Sequence, residues 1–281
     1  MAKNGASLDY KFGPKNNWRR WAWNRVTERL GCLPKDAVVI YLAGAQDLDR
    51  NVALERGFLN WNLIACESST RVVQALRDQR VLTIHGDLFE TLLAWPHDVR
   101  VAAVIGDFCG GLSTKMLCRI LQLDILPHLR CAVLCFNWLR GRELDSQGLR
   151  ELGELPSVGR HRGQQFWHMA RMHWAQGAEI LSPDDWMRLD AETWRQIERR
   201  SQYIDKHCSP CFHSYRSGAQ VFDSIVYRNL WSIIKDDHSA WESARSYSQK
   251  QLGGGRRRKV AATLAHRTMR RTGSGPYSRG S

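Results

Sequence analysis

The stretch Ala37-Val38-Val39-Ile40-Tyr41-Leu42-Ala43-Gly44-Ala45-Gln46-Asp47 decides the fold. An apolar run without polar alternation breaks into a short loop that contains a glycine. A strand of that kind is buried on both faces, as in a parallel sheet with helices on each side. The pattern recurs downstream in 62–66 (NLIAC), 81–85 (VLTIH), 101–105 (VAAVI) and 131–136 (CAVLCF). Helix-compatible stretches lie between these runs at 49–57, 69–79, 89–93 and 113–123. Alternation of strand and helix at this spacing predicts a doubly wound, mostly parallel α/β sheet.

In an open sheet of this type, ligands bind outside the carboxyl ends of the strands. The residues that follow each strand are therefore the informative ones. After the first comes Gly44, with Asp47 three residues on. Glu67 follows the second, Gly86-Asp87-Leu88-Phe89 the third, and Gly106-Asp107-Phe108-Cys109-Gly110-Gly111 the fourth. Three successive strands thus end at an acid. A carboxylate after the second strand can accept both hydrogen bonds of a ribose diol, and Asp87 can accept from an adenine amine. A small first loop lets backbone amides approach a ligand closely. The alternative is that these acids cap the helices that follow, since Asp is a preferred cap.

Read in order, Tyr41-Leu42-Ala43-Gly44, Asn62–Glu67, His85-Gly86-Asp87-Leu88-Phe89 and Ile105-Gly106-Asp107-Phe108 resemble motifs I to IV of class I methyltransferases. The resemblance covers about 100 residues, and more if a hairpin at 215–229 is the family's terminal one. It implies a Rossmann-like, seven-stranded sheet and S-adenosylmethionine as cofactor. Carried over, Gly44 lies beside the amino-acid end of the cofactor, Glu67 holds the ribose, Asp87 and Leu88 adjoin the adenine, and Asp107 lines the methyl-transfer site. The first loop departs from the family in having Gly44 alone, with Asp47 or Asp49 to take its polar role.

The fourth strand end bears on the substrate. Amino methyltransferases of DNA place Asp or Asn-Pro-Pro-Tyr or Phe there, and cytosine-C5 enzymes place a Pro-Cys pair. This chain has Asp107-Phe108-Cys109-Gly110, without the prolines. Asp107 is the expected acceptor of a substrate amine. Cys109 is the alternative, as a thiol nucleophile activated at a helix start. The compact motifs resemble methyltransferase-like proteins of phages and mobile elements.

Charge points to the partner. The net charge is +13, and nine Lys or Arg residues with no acid lie from Lys250 onward, which leaves the first 249 residues at +4. Arg256, Arg257, Arg258, Lys259, Arg270 and Arg271 form a run that binds phosphate by counterion release. Nucleic acid is the expected partner, DNA ahead of RNA. Twelve tryptophans, several beside arginines, read as core anchors or as stacking surfaces. His207-Cys208-Ser209-Pro210-Cys211-Phe212-His213 is too tightly spaced for the usual zinc finger, so no metal is expected. The scattered cysteines suit a reducing compartment, no run is long enough for a membrane helix, and a cytoplasmic protein is expected.

The expected organisation is a basic Trp-rich extension over 1–35, a methyltransferase-like domain over 36–250 and a flexible basic tail over 251–281, with 141–212 either a substrate-recognition insertion or a cover for the sheet. Helices are expected at 18–30 and 230–250, and a short one at 259–271. Two rival functions stand beside nucleic-acid methylation. One is a nucleic-acid-binding protein on the same scaffold without catalysis. The other is a methyltransferase for protein or small molecules.

Overall fold

The computed structural model describes residues 13–108, 110–124, 126–140, 161–175 and 191–229. Cys109, the expected helices at 230–250 and 259–271, and the basic run Arg256 to Arg271 lie outside them.

Seven strands form one sheet: β1 (Val39–Leu42), β2 (Leu63–Glu67), β3 (Thr83–His85), β4 (Ala103–Asp107), β5 (Val133–Leu139), β6 (Cys211–Ser217) and β7 (Gln220–Arg228). Their order is β3-β2-β1-β4-β5-β7-β6. β1 to β5 run parallel, and β7 enters antiparallel between β5 and β6. The doubly wound, Rossmann-like sheet with a terminal hairpin is therefore present. The hairpin begins earlier than the sequence suggests, and Gly218 supplies the positive φ of 60° that its turn needs.

Side-chain alternation along the strands divides the core in two. Val39, Tyr41, Ala65, Ile105, Val133 and Cys135 face α1 (Gly13–Arg29), α2 (Leu48–Leu54) and α3 (Thr70–Asp78). Ile40, Ile64, Val104, Leu134, Phe136 and Trp138 face α4 (Leu88–Leu93), α5 (Thr114–Leu123), α6 (Arg162–Ala175) and α7 (Ala191–Cys208). Helices on both faces explain why the strands read as unbroken apolar runs.

Helix α1 belongs to this core. Trp18, Ala22, Trp23 and Val26 are fully buried against the sheet. Of the described residues in 141–212, α6 covers the sheet through Phe166, Trp167 and Ala170, and α7 packs on α6 with Ile197 and Ile204 in the same core. Trp95, Trp138 and Trp174 are also buried, so the described tryptophans serve mainly as core anchors. No helix among the described residues is long and apolar enough to cross a membrane.

Candidate functional site

The carboxyl ends of the five parallel strands converge on one edge of the sheet, and strand order reverses between β1 and β4, the position at which open α/β sheets bind ligands. Each expected acid can be followed to that edge.

After β1 the chain turns, with the Asp47 amide donating to the Gly44 carbonyl at 3.0 Å. Asp47 adopts φ 46° and ψ 46°, the left-handed region, and is 2% exposed. Its carboxylate accepts from the Tyr41 hydroxyl at 2.8 and 3.1 Å. Burial pushes its acid up to about 7, against the pull of the Tyr41 bond. Asp49 lies two residues further, in the first turn of α2, where Arg19 Nε and Trp23 Nε1 of α1 both donate to it at 3.0 Å. Burial raises its acid too, and Arg19 opposes that rise.

Glu67 ends β2 in register with His85. Its Oε1 accepts from the Ser69 amide at 2.7 Å, ahead of α3. Asp87 is the N-cap of α4, its Oδ1 accepting from the Phe89 and Glu90 amides at 2.9 and 3.1 Å. Arg119 of α5 forms an ion pair with the same oxygen, and its guanidinium lies 4.3 Å from the centre of the Phe89 ring. Capping and ligand binding are thus not exclusive. Each acid spends one oxygen on its own turn, and no described residue donates to Glu67 Oε2 or Asp87 Oδ2. Leu88 is 2% exposed in the core beside Ile84 and Leu92, so only its backbone is left to meet a ligand.

Asp107 ends β4 and is turned toward α1. Asn137, its register partner on β5, donates to Oδ1 at 2.7 Å. Lys15, in the first turn of α1, forms an ion pair with Oδ2. The Lys15 ammonium lies 4.8 Å from the Trp18 ring centre, 5.6 Å from Phe222 and 5.9 Å from Tyr215, within cation–π range of all three. Burial alone lowers the Lys15 pKa, but Asp107 and Tyr215 together raise it above the usual range, so the side chain stays charged. The network continues inward, with Ser224 Oγ donating to Asn137 Oδ1 and Trp18 Nε1 donating to Ser224 Oγ, each at 2.8 Å.

Gly106 allows the adjoining ring to fold back. A Cβ there would meet the Phe108 and Phe136 rings at 2.8 Å. Phe108 stacks between Phe89 and Phe136, with ring centres 5.7 and 5.9 Å away.

No family model matches this sequence, and no curated protein sequence does. Solved structures do align with it over most of its length. A SAM-dependent methyltransferase from Archaeoglobus fulgidus is 12% identical, covers 76% of this chain and 94% of its own, and scores a TM of 0.37. The plantazolicin methyltransferase BpumL, solved with a desmethylPZN analogue and SAH, is 9% identical over 79% of this chain and 86% of its own, with a TM-score of 0.40. The Methanococcus jannaschii fibrillarin pre-rRNA processing protein is 9% identical over 70% of each chain, with a TM-score of 0.35. The fold rests on the strand order and register above, not on these likenesses.

The structure therefore brings Gly44, Glu67, Asp87 and Asp107 to one edge, turns Asp47 inward onto Tyr41, and adds residues the sequence reading missed. Asn137 had a detectable signal. It is a polar residue near the end of an apolar strand, like the three acids, but the apolar run 131–136 stops one residue short of it. Lys15 had none, since a single lysine in a polar N-terminal segment forms no pattern.

Proposed function

We propose that this chain is an S-adenosylmethionine-dependent methyltransferase acting on nucleic acid, with an amino group of DNA as the acceptor. The observation that carries this reading is the row of Gly44, Glu67, Asp87 and Asp107 across the β1–β4 switch point.

The donor and acceptor chemistry of the row fits that cofactor. Glu67 Oε2 suits a ribose diol, and Asp87 Oδ2 suits an adenine amine. When bound, S-adenosylmethionine supplies an electrophilic methyl group on a sulfonium. The protein's part is positioning, because in-line transfer needs aligned partners more than acid–base work. Asp107 would accept from the acceptor's amine and aim its lone pair. To do so it must release Lys15, which occupies Oδ2. Nucleic acid as partner is supported by the +13 net charge and the run Arg256, Arg257, Arg258, Lys259, Arg270 and Arg271.

One observation favours a second reading. Asp107 is closed off by Lys15 inside an aromatic box, as expected of a nucleic-acid-binding scaffold that no longer transfers methyl groups.

The test is transfer of labelled methyl from S-adenosylmethionine to a mixed-sequence DNA duplex, with RNA of the same sequence alongside. The proposal predicts label on a base amino group, a loss of 100-fold or more in Asp107→Ala, and weaker, less salt-sensitive DNA binding when 253–281 are removed. Label on RNA alone would overturn the DNA assignment. Cofactor binding without transfer to either nucleic acid would leave the second reading.

A further inference from the structure

A loop that carries a cofactor after a first strand needs a backbone conformation that most residues resist. In this chain the difficulty falls on Asp47. Its φ of 46° and ψ of 46° are left-handed, where a side chain is strained unless the surroundings hold it. Asp is among the few non-glycine residues that visit this region. What holds it is visible. Tyr41 lies on β1, fully buried, with Trp23 packed edge-on against its ring at 6.1 Å between centres. Its hydroxyl reaches back across the turn to both Asp47 oxygens, at 2.8 and 3.1 Å. The Asp47 amide closes the same turn onto the Gly44 carbonyl. The loop between strand and α2 is thus clamped at both ends of one residue.

Asp47 is also distinct from its buried neighbours. Arg19 pairs with Asp49 and Lys15 with Asp107, but no ion pair to Asp47 forms among the described residues. Its close side-chain partner among the described residues is the Tyr41 phenol, while Arg50 pulls its acid down less than burial pushes it up.

We propose that Tyr41 and Asp47 are positioning residues for the cofactor, a latch that fixes the Gly44 turn in the shape a glycine-rich loop would otherwise take. This rests on the S-adenosylmethionine reading of the site. Neither side chain touches the ligand. Both act by holding the backbone that does.

Four variants separate the latch from a bare backbone requirement. Asp47→Gly frees the left-handed backbone but removes the acceptor. Asp47→Asn tolerates the backbone and keeps an acceptor oxygen. Tyr41→Phe removes the donor alone, and the fourth variant combines Tyr41→Phe with Asp47→Gly. Each is titrated with S-adenosylhomocysteine by calorimetry, after circular dichroism confirms the fold. The latch predicts at least tenfold weaker binding for Asp47→Gly and for Tyr41→Phe. It predicts rescue to within threefold by Asp47→Asn, and a double variant no weaker than either single one. Wild-type affinity in Asp47→Gly would overturn it, because a left-handed backbone would then suffice. Should Asp47→Gly not fold, Tyr41→Phe, which loses one oxygen, decides by itself. Absence of binding in the wild type is a different result and overturns the cofactor reading instead.

Discussion

Asp47 holds its proton in the folded chain up to about pH 7, where an ordinary Asp loses it near 3.8, because burial disfavours the charged form. Between those values the folded chain binds a proton that the unfolded chain has released. Stability contributed by this group is therefore full below about pH 4 and lost as pH rises through 7. The titratable groups that act on it are Tyr41 on β1 and Asp49 and Arg50 on α2. Asp47→Asn has no proton to release and suits the same backbone. Its melting temperature should gain on the wild type from pH 5 to pH 8, and a constant difference across that range would show that Asp47 does not titrate there. At this scale the sequence was partly legible. Glu67, Asp87 and Asp107 stood out because each follows an apolar strand. Lys15, Tyr41 and Arg119 did not, because each acquires its role from a partner on another element.

Helix α1 shows why element boundaries and faces were harder to read. The sequence suggests 18–30 with Trp18, Trp21, Val26 and Leu30 on one face. The helix runs Gly13–Arg29, and it buries Trp18, Arg19, Ala22, Trp23 and Val26. An apolar-periodicity argument cannot place an arginine in the core. Arg19 enters because Asp49 neutralises it and shares that carboxylate with Trp23. The run from His207 to His213 is a second case. It reads as a cluster of potential ligands, but it is the end of one helix and the start of one strand. Ser209 takes a left-handed φ of 44° just past α7, and Pro210 prevents the helix from continuing. The five parallel strands were legible to within three residues at each end, because burial on both faces leaves an unbroken apolar signature. Trp23 tests how far α1 belongs to the domain. Its ring lies 5.3 Å from Phe58 and 6.1 Å from Tyr41. Trp23→Ala should cost about 3–5 kcal/mol in denaturant unfolding, and a loss below about 1 kcal/mol, the level of a typical surface change, would mean that α1 is dispensable to the core.

At the scale of the whole molecule, a sheet covered on both faces leaves its carboxyl edge as the place where polar groups gather. Gly44, Glu67, Asp87, Asp107 and Asn137 meet there from five different strands, although they are scattered over nearly 100 residues of sequence. α1 then closes one side of that edge through Lys15 and Trp18. The polar residues that follow β1, β2 and β3 come from strand order and are legible in the sequence. The contact between Lys15 and Asp107 depends on α1, and is not. The most direct measurement is calorimetric titration of S-adenosylmethionine into the full chain, with Glu67→Gln and Asp87→Ser as controls. Serine keeps the α4 cap while removing the carboxylate. The wild type should bind saturably, and each variant at least tenfold more weakly with the fold intact. No binding by the folded wild type, or equal binding by both variants, would contradict the cofactor site described here.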